Sequence, residues 1–321
     1  MLHPALRAPL AALALTLTAV AAHAADWPAK PIKFVVPFGP GGANDLVARA
    51  VAEAAAKQLG QPIIIDNKPG AGSVLGSDIV AKSAPDGYTF LAPAGGIITN
   101  PLIKAKMPYA PDALVPVALM AVSPSLIVVP ADSPYKDLKS LVAGSKQGQG
   151  LNFSTAGTGS TPHFVAEMLK VGAGAKLQIV PYKSGSEGVV AVIGKQVDAT
   201  SEASVVTLPQ IKGGKLRAVA STWNRRIAAL PDVPTAQEQG FGNVFIGHWS
   251  GVFAPKGTPE DILNKMNAAI NTALKSPELR ARLIPQGIDP LGGSRADFVK
   301  FLDDEKKRLT PIVKAAQMKE D

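Results

Sequence analysis

The sequence predicts an α/β protein built as two lobes, and three observations predict it. Short apolar β-like runs alternate with helical patterns along the chain. The 321 residues, 297 once an N-terminal leader of 24 is removed, are more naturally divided between two cores than gathered around one. Two apolar runs, Val115 to Val129 and Phe245 to Phe253, are suited to cross from one lobe to the other.

The elements follow in order. Residues 1–24 read as a signal peptide: Arg7 forms a basic start, Ala8 to Ala22 an apolar stretch too short for a comfortable membrane span, and Ala22-His23-Ala24 a small-residue cleavage site. No Cys follows that site to accept a lipid, so the expectation is a soluble protein exported to the periplasm. Strands are expected at Ile32–Val36, Ile63–Asp66, Thr89–Ala92, Val115–Ala121, Leu126–Val129, Leu151–Ser154, Leu177–Val180, Leu216–Ala220 and Phe245–Phe253. Helical periodicity fills the gaps at Asp45–Leu59, Gly76–Ser83, Leu138–Ala143, Pro162–Val171, Gly188–Ile193, Pro259–Lys275, Pro277–Gln286 and Arg295–Ala316. Thr161-Pro162, Thr258-Pro259 and Ser276-Pro277 place a capping hydroxyl just before a proline, the chemistry of a helix start. The crossing runs then assign residues 25–124 and 246–321 to lobe 1 and residues 125–245 to lobe 2.

Composition narrows the function. With no Cys, disulfides, thiol catalysis and cysteine metal sites are excluded, and the packed core alone must hold the fold. Only Arg7 among the charged residues lies in the leader, so cleavage lowers the formal net charge from +8 to +7. The basic residues are scattered and aromatics sparse, which argues against nucleic acid and leaves a surface that mildly steers anions. No G-x-S-x-G elbow, P-loop, H-E-x-x-H or G-x-G-x-x-G occurs, and no metal or cofactor is expected. His163 and His248 are the only histidines beyond the leader. A hydrolase built on Ser160 and His163 is the enzymatic alternative, but three residues apart at a helix start they more naturally cap, and no acid is evident to orient the ring.

Two glycine-rich turns carry the functional signal, each between a strand and a helix. The first is Phe38 to Asn44, FGPGGAN; the second is Ser154 to His163, STAGTGSTPH. Free backbone N–H groups and the positive end of a helix dipole converge at such a turn, so a carboxylate or phosphate is held without a lysine. Gly41, Gly42 and Ala43 leave room in the first; Gly157 and Gly159 open the second, beside the hydroxyls of Ser160 and Thr161. If the lobes face one another, both turns point at one small anion.

The segments WPAKPIKFVVPFGPGGANDLVAR, DNKPGAGSVLG, APDGYTF, NFSTAGTGSTPH, VPYKSG, IKGGKLRAVA, LPDVPTAQEQG and GVFAPKGTP occur in the order seen in the Bug family, and the resemblance runs from Trp27 to about Ala316. These are periplasmic solute receptors of tripartite tricarboxylate transporters. The resemblance implies a type II periplasmic binding protein fold, two α/β lobes joined by crossover hinge strands with a ligand cleft between them. It further implies a monomeric binding protein, not an enzyme, that delivers a small organic carboxylate to the transporter's membrane components. Its ligand loops fall on Phe38, Gly39, Pro40, Gly41, Gly42, Ala43 and Asn44, and on Ala156, Gly157, Thr158, Gly159, Ser160, Thr161 and His163. A receptor that presents its ligand to a sensor kinase would use the same cleft.

Departures from the family bear on the ligand. Glu202-Ala203-Ser204-Val205 stands where relatives usually show an Asp-Asn pair followed by Leu-Pro, and His248 where they tend to have Ala or Ser. Amino-acid ligands are therefore less expected, and Ser204 and His248 join the candidate site. The ligand expectation is a dicarboxylate, aromatic like terephthalate or otherwise, with one carboxylate in the two loops and the other near His248. Trp249 or Phe38 would pack on its body.

Overall fold

The computed structural model describes residues 27–320, so the predicted leader and its cleavage site lie outside the described residues. The chain opens with β1 (Ile32–Val36), α1 (Ala43–Leu59), β2 (Ile63–Asn67), α2 (Val74–Ala81), β3 (Thr89–Leu91) and α3 (Gly96–Ile103). A long strand, β4 (Leu114–Pro130), leads to α4 (Leu138–Ser145), β5 (Leu151–Thr155), α5 (Thr161–Ala173), β6 (Leu177–Pro181), α6 (Gly185–Ile193), β7 (Ala199–Ala203), α7 (Ser204–Lys212) and β8 (Leu216–Ser221). The chain returns through β9 (Gly247–Pro255), α8 (Glu260–Lys275), α9 (Pro277–Leu283), β10 (Asp289–Pro290) and α10 (Arg295–Ala315).

Local chemistry accounts for the elements that frame the site. Ile32, Phe34, Val35 and Val36 of β1 are all buried, as expected of an inner parallel strand covered on both faces. In α1 the buried residues Val47, Ala48, Val51 and Ala55 recur at helical spacing, and Gly60 ends the helix in the left-handed conformation at φ 69°.

Strand directions set the architecture. In one half β2, β1 and β3 are parallel, with β9 antiparallel to β3; in the other β7, β5 and β6 are parallel. The 17-residue β4 belongs to both halves, pairing antiparallel with β9 from Leu114 to Pro124 and with β7 and β8 from Ser125 to Pro130. Because β9 opposes both β3 and β4, the first parallel set runs along β4 toward the second half. Because β7 opposes β4, the second set runs back toward the first. The C-terminal ends of the two parallel sets therefore face each other along β4, the first ending level with Pro116 and the second level with Ser125, and the loops that leave them extend into the stretch between. In open parallel sheets those ends are where ligands bind.

Two principal cores match this division. Phe34, Phe90 and Met120 pack with Val51 of α1 and Met266 and Ile270 of α8, while Ile127, Phe153, Phe164 and Met168 gather with α4 and α5. Helix α10 reaches both halves: Phe298 and Leu302 pack with Trp249 and Phe253, and Leu309 and Val313 pack with the core around Phe164. The fold is the two-lobe α/β architecture the sequence predicts.

Several elements differ from the sequence reading. The strands expected at 115–121 and 126–129 are one strand; Pro124, which lacks an N–H and breaks the apolar run, is tolerated where the strand changes partners. Strand β7, with the sequence ATSEA, is unheralded by any apolar run although all five residues are buried. Its hydroxyls find partners inside the sheet: Ser201 bonds the Ser125 hydroxyl at 2.6 Å and Thr200 donates to the Ser154 carbonyl at 2.8 Å. Helices α3 and α7 are also absent from the sequence reading, and each carries an internal proline, Pro101 and Pro209.

Candidate functional site

The first loop joins β1 to α1 at the convergent edge. Gly41 turns with φ +83°, and its N–H donates to Asp45 Oδ2 at 2.9 Å. Asp45 is 1% exposed and also accepts from Arg49 Nε at 2.9 Å and Asn67 Nδ2 at 2.8 Å. Burial raises the Asp45 carboxyl, but bonds from Arg49, Asn67 and Gly41 outweigh it and hold it below the ordinary carboxylate range. Asn67 Nδ2 also donates to the Phe38 carbonyl at 3.0 Å, which pins the loop's far side. Gly42 caps α1 without a side-chain bond, and the opening N–H groups of Ala43 and Asn44 lack intrahelical acceptors.

The second loop joins β5 to α5. Gly157 and Gly159 adopt φ +91° and +74°. The Ser160 hydroxyl donates to the Gly157 carbonyl at 2.6 Å, and the Gly159 N–H donates to His163 Nδ1 at 3.3 Å. His163 Nε2 faces Glu167 at 3.8 Å. At the start of α5, Thr161 and His163 carry N–H groups without intrahelical acceptors, and Pro162 between them has none. The loop lies against α3: a methyl at Gly159 would sit 2.3 Å from Ile103 Cδ1 and 3.9 Å from Thr99 Oγ1.

The floor between the loops is the crossover itself. Ser123 of β4 pairs with His248, and Leu126 with Glu202. The Val205 N–H donates to the Ser123 hydroxyl at 3.3 Å, that hydroxyl lies 2.9 Å from Ser204 Oγ, and Ser204 donates to the Gly287 carbonyl at 2.6 Å. His248 Nε2 lies 3.4 Å from Glu202 Oε1 but makes no hydrogen bond and is buried. Burial pushes the His248 imidazole below its ordinary value, against the pull of the Glu202 charge. Glu202 Oε1 accepts from the Ala203 N–H at 2.7 Å.

Backbone N–H groups are the donors these two loops leave unpaired, while several of the expected side chains bond within the protein. Asn44 is spent internally: its Nδ2 donates to the Ala92 carbonyl at 2.7 Å and its Oδ1 accepts from the Ser250 hydroxyl. Ser160 and His163 close their own loop, and Ser204, fully buried, stitches α7 to β4 and Gly287. Ser160 and His163 are not a nucleophile–base pair either, since the hydroxyl donates to Gly157 and the imidazole Nδ1 accepts from Gly159. Trp249, 2% exposed, packs edge-to-face on Phe298 and Phe301. Phe38 is half-buried beside the core around Phe34 and Phe90. Ala156, Gly157, Thr158 and Thr161 remain on the second loop, as Gly41, Gly42 and Ala43 do on the first.

Sequence reasoning gave Glu202 no role and did not mark Thr155 or Gly185. The Thr155 hydroxyl, at the end of β5 where the second loop starts, is buried without a partner. A methyl at Gly185, the first residue of α6, would sit 1.5 Å from Glu202 Oε2. Neither loop contains Lys or Arg, so the arrangement suits an anion held by peptide N–H groups and helix dipoles.

Residues 47–318 match the model of the tripartite tricarboxylate transporter family receptors, TctC. The chain belongs to this receptor family. Similar solved structures include the periplasmic binding protein BugD, 31% identical with a TM-score of 0.81, the match covering 92% of this chain and 100% of BugD. MatC of Rhodopseudomonas palustris, with bound malate, is 33% identical at a TM-score of 0.79, covering 89% of this chain and 99% of MatC. Rpa4515 of R. palustris, with adipate, is 30% identical at a TM-score of 0.84, covering 92% of this chain and 99% of Rpa4515. The resemblance to Bug receptors is thereby borne out, and the two-lobe periplasmic binding fold with it.

Proposed function

We propose that this receptor captures a small organic carboxylate between its lobes and delivers it to the membrane components of a tripartite tricarboxylate transporter, after export and removal of residues 1–24. The supporting observation is the convergence of two lysine-free loops, each ending at a helix N-terminus, on one crossover. Ala43 and Asn44 on one side and Thr161 and His163 on the other supply the N–H donors, with Gly41, Gly42, Gly157 and Thr158 shaping the cradle. Closure follows because only the closed arrangement satisfies both loops at once. The hinge runs through Ser123 to Ser125 of β4 and the return into β9, with residues 25–124 and 246–321 forming lobe 1 and residues 125–245 lobe 2. The C-terminal end of α10 reaches over to the core of lobe 2.

Malate and adipate, held by MatC and Rpa4515, are both dicarboxylates, and by likeness to them dicarboxylates, including terephthalate, belong among the first acids to test. A thermal-shift screen of citrate, succinate, malate, adipate, glutamate, nicotinate, the phthalate isomers and protocatechuate tests capture. A ligand at 100 times its Kd stabilises by about 2.7 kcal/mol, well within reach of a melting curve. At least one acid should raise the melting temperature in proportion to the logarithm of its concentration. A flat response to every acid, with amides and sugars behaving alike, contradicts the reading.

A further inference from the structure

The crossover floor holds an acid that the two loops do not use. Glu202 is 7% exposed at the end of β7, and its sole ion-pair partner among the described residues is His248. A buried carboxylate without a cation is costly, so it is ordinarily paired or hydrogen-bonded. Here Oε1 accepts one backbone N–H, Oε2 lies beside Gly185, and His248 Nε2, buried 3.4 Å away, has no hydrogen bond. Lys and Arg are absent from both loops, and none lies within ion-pair distance of Glu202 among the described residues.

From this geometry we infer that the floor is an acceptor site: Glu202 and His248 together receive a hydrogen-bond donor, an ammonium above all, at the end of the ligand opposite its carboxylate. The inference rests on the carboxylate reading above and deepens it, making the ligand an amino-substituted acid in place of a dicarboxylate. A second ligand carboxylate beside His248 would meet the Glu202 charge of the same sign. An ammonium would supply the cation that Glu202 lacks and would give His248 Nε2 a donor. Gly185 matters for a steric reason, because any side chain there would occupy the position of Oε2. The proposed ammonium stands where the sequence leads us to expect a second carboxylate, near His248.

The test uses pairs of acids that share one carboxylate and differ at the far end: succinate against β-alanine, glutarate against 4-aminobutyrate, adipate against 5-aminovalerate, and terephthalate against 4-(aminomethyl)benzoate. Affinities are measured by calorimetry on the full mature chain, the Glu202→Gln variant and the Gly185→Ala variant, with circular dichroism melts to verify folding. In the wild type the amino member of at least one pair should bind about tenfold or more tightly than its dicarboxylate, the scale of one hydrogen bond to a charged group. Both variants should erase or invert that ratio while remaining folded. A wild-type preference for the dicarboxylates, or a ratio unchanged in Glu202→Gln, overturns the acceptor site and leaves the carboxylate reading standing. Silence of every acid, in these pairs and in the wider screen, overturns both. A purely structural role for Glu202 would lower stability and weaken both members of each pair alike, which also overturns the assignment.

Discussion

Two carboxylates at the cleft show how local environment decides what a charged residue does. Asp45 is buried but surrounded by the Gly41 amide, the Arg49 guanidinium and the Asn67 amide, so it stays ionised and serves as an internal brace for the first loop. Glu202, also buried, has one backbone donor and a histidine 3.4 Å away with which it forms no hydrogen bond. That histidine, His248, is the residue that should report its surroundings through pH. The folded protein keeps the ring neutral below its ordinary value of 6.5, whereas the unfolded chain takes up a proton as pH falls through that value. The unfolded state then binds more protons, so this contribution to stability is present above pH 6.5 and is lost as pH falls toward the lowered folded value. Melting temperatures at pH 7.5 and 5.5 should therefore drop further in the wild type than in His248→Gln. Equal drops would mean that burial does not hold the ring neutral.

At the scale of elements, the contact that matters most is between the second loop and α3. Gly159 sits in the left-handed region at φ +74°, where a side chain costs about 1–2 kcal/mol, and a methyl there would strike Ile103 Cδ1. Gly159→Ala should lower stability by about that amount and weaken the best acid of the screen at least tenfold, because the loop must retreat from α3. Adding Ile103→Ala should recover part of the affinity but not the backbone strain. Unchanged affinity in Gly159→Ala would mean that this approach plays no part in binding. The two loops were legible in sequence because glycine, hydroxyl and proline chemistry at a strand–helix junction is local. Helix α3, which abuts the second loop, was not, because Pro101 inside it reads as a break. Strand β7 was hidden for another reason: ATSEA has no apolar alternation, and its burial is compensated by hydroxyl bonds to neighbouring strands that no linear pattern displays. The same limit applies to Asn44, Ser160 and Ser204, whose residue types suggested ligand contact while their partners, distant in sequence or within their own loop, had already taken their polar atoms.

For the whole molecule, pairing directions carry the functional geometry. One strand, β4, is shared by both halves, and its antiparallel partners force the two parallel sets to point at each other. That relation was half visible in sequence, since two crossing apolar runs were expected, although Pro124 made one strand read as two. The receptor proposed above is a pair of peptide cradles that close on one carboxylate. Backbone amide chemical-shift mapping tests this most directly, using uniformly labelled mature protein and the tightest acid from the screen. The N–H signals of Ala43 and Asn44 and those of Gly157, Thr161 and His163 should shift along one binding curve with one Kd. Shifts confined to a single loop, or two loops following different curves, would contradict it.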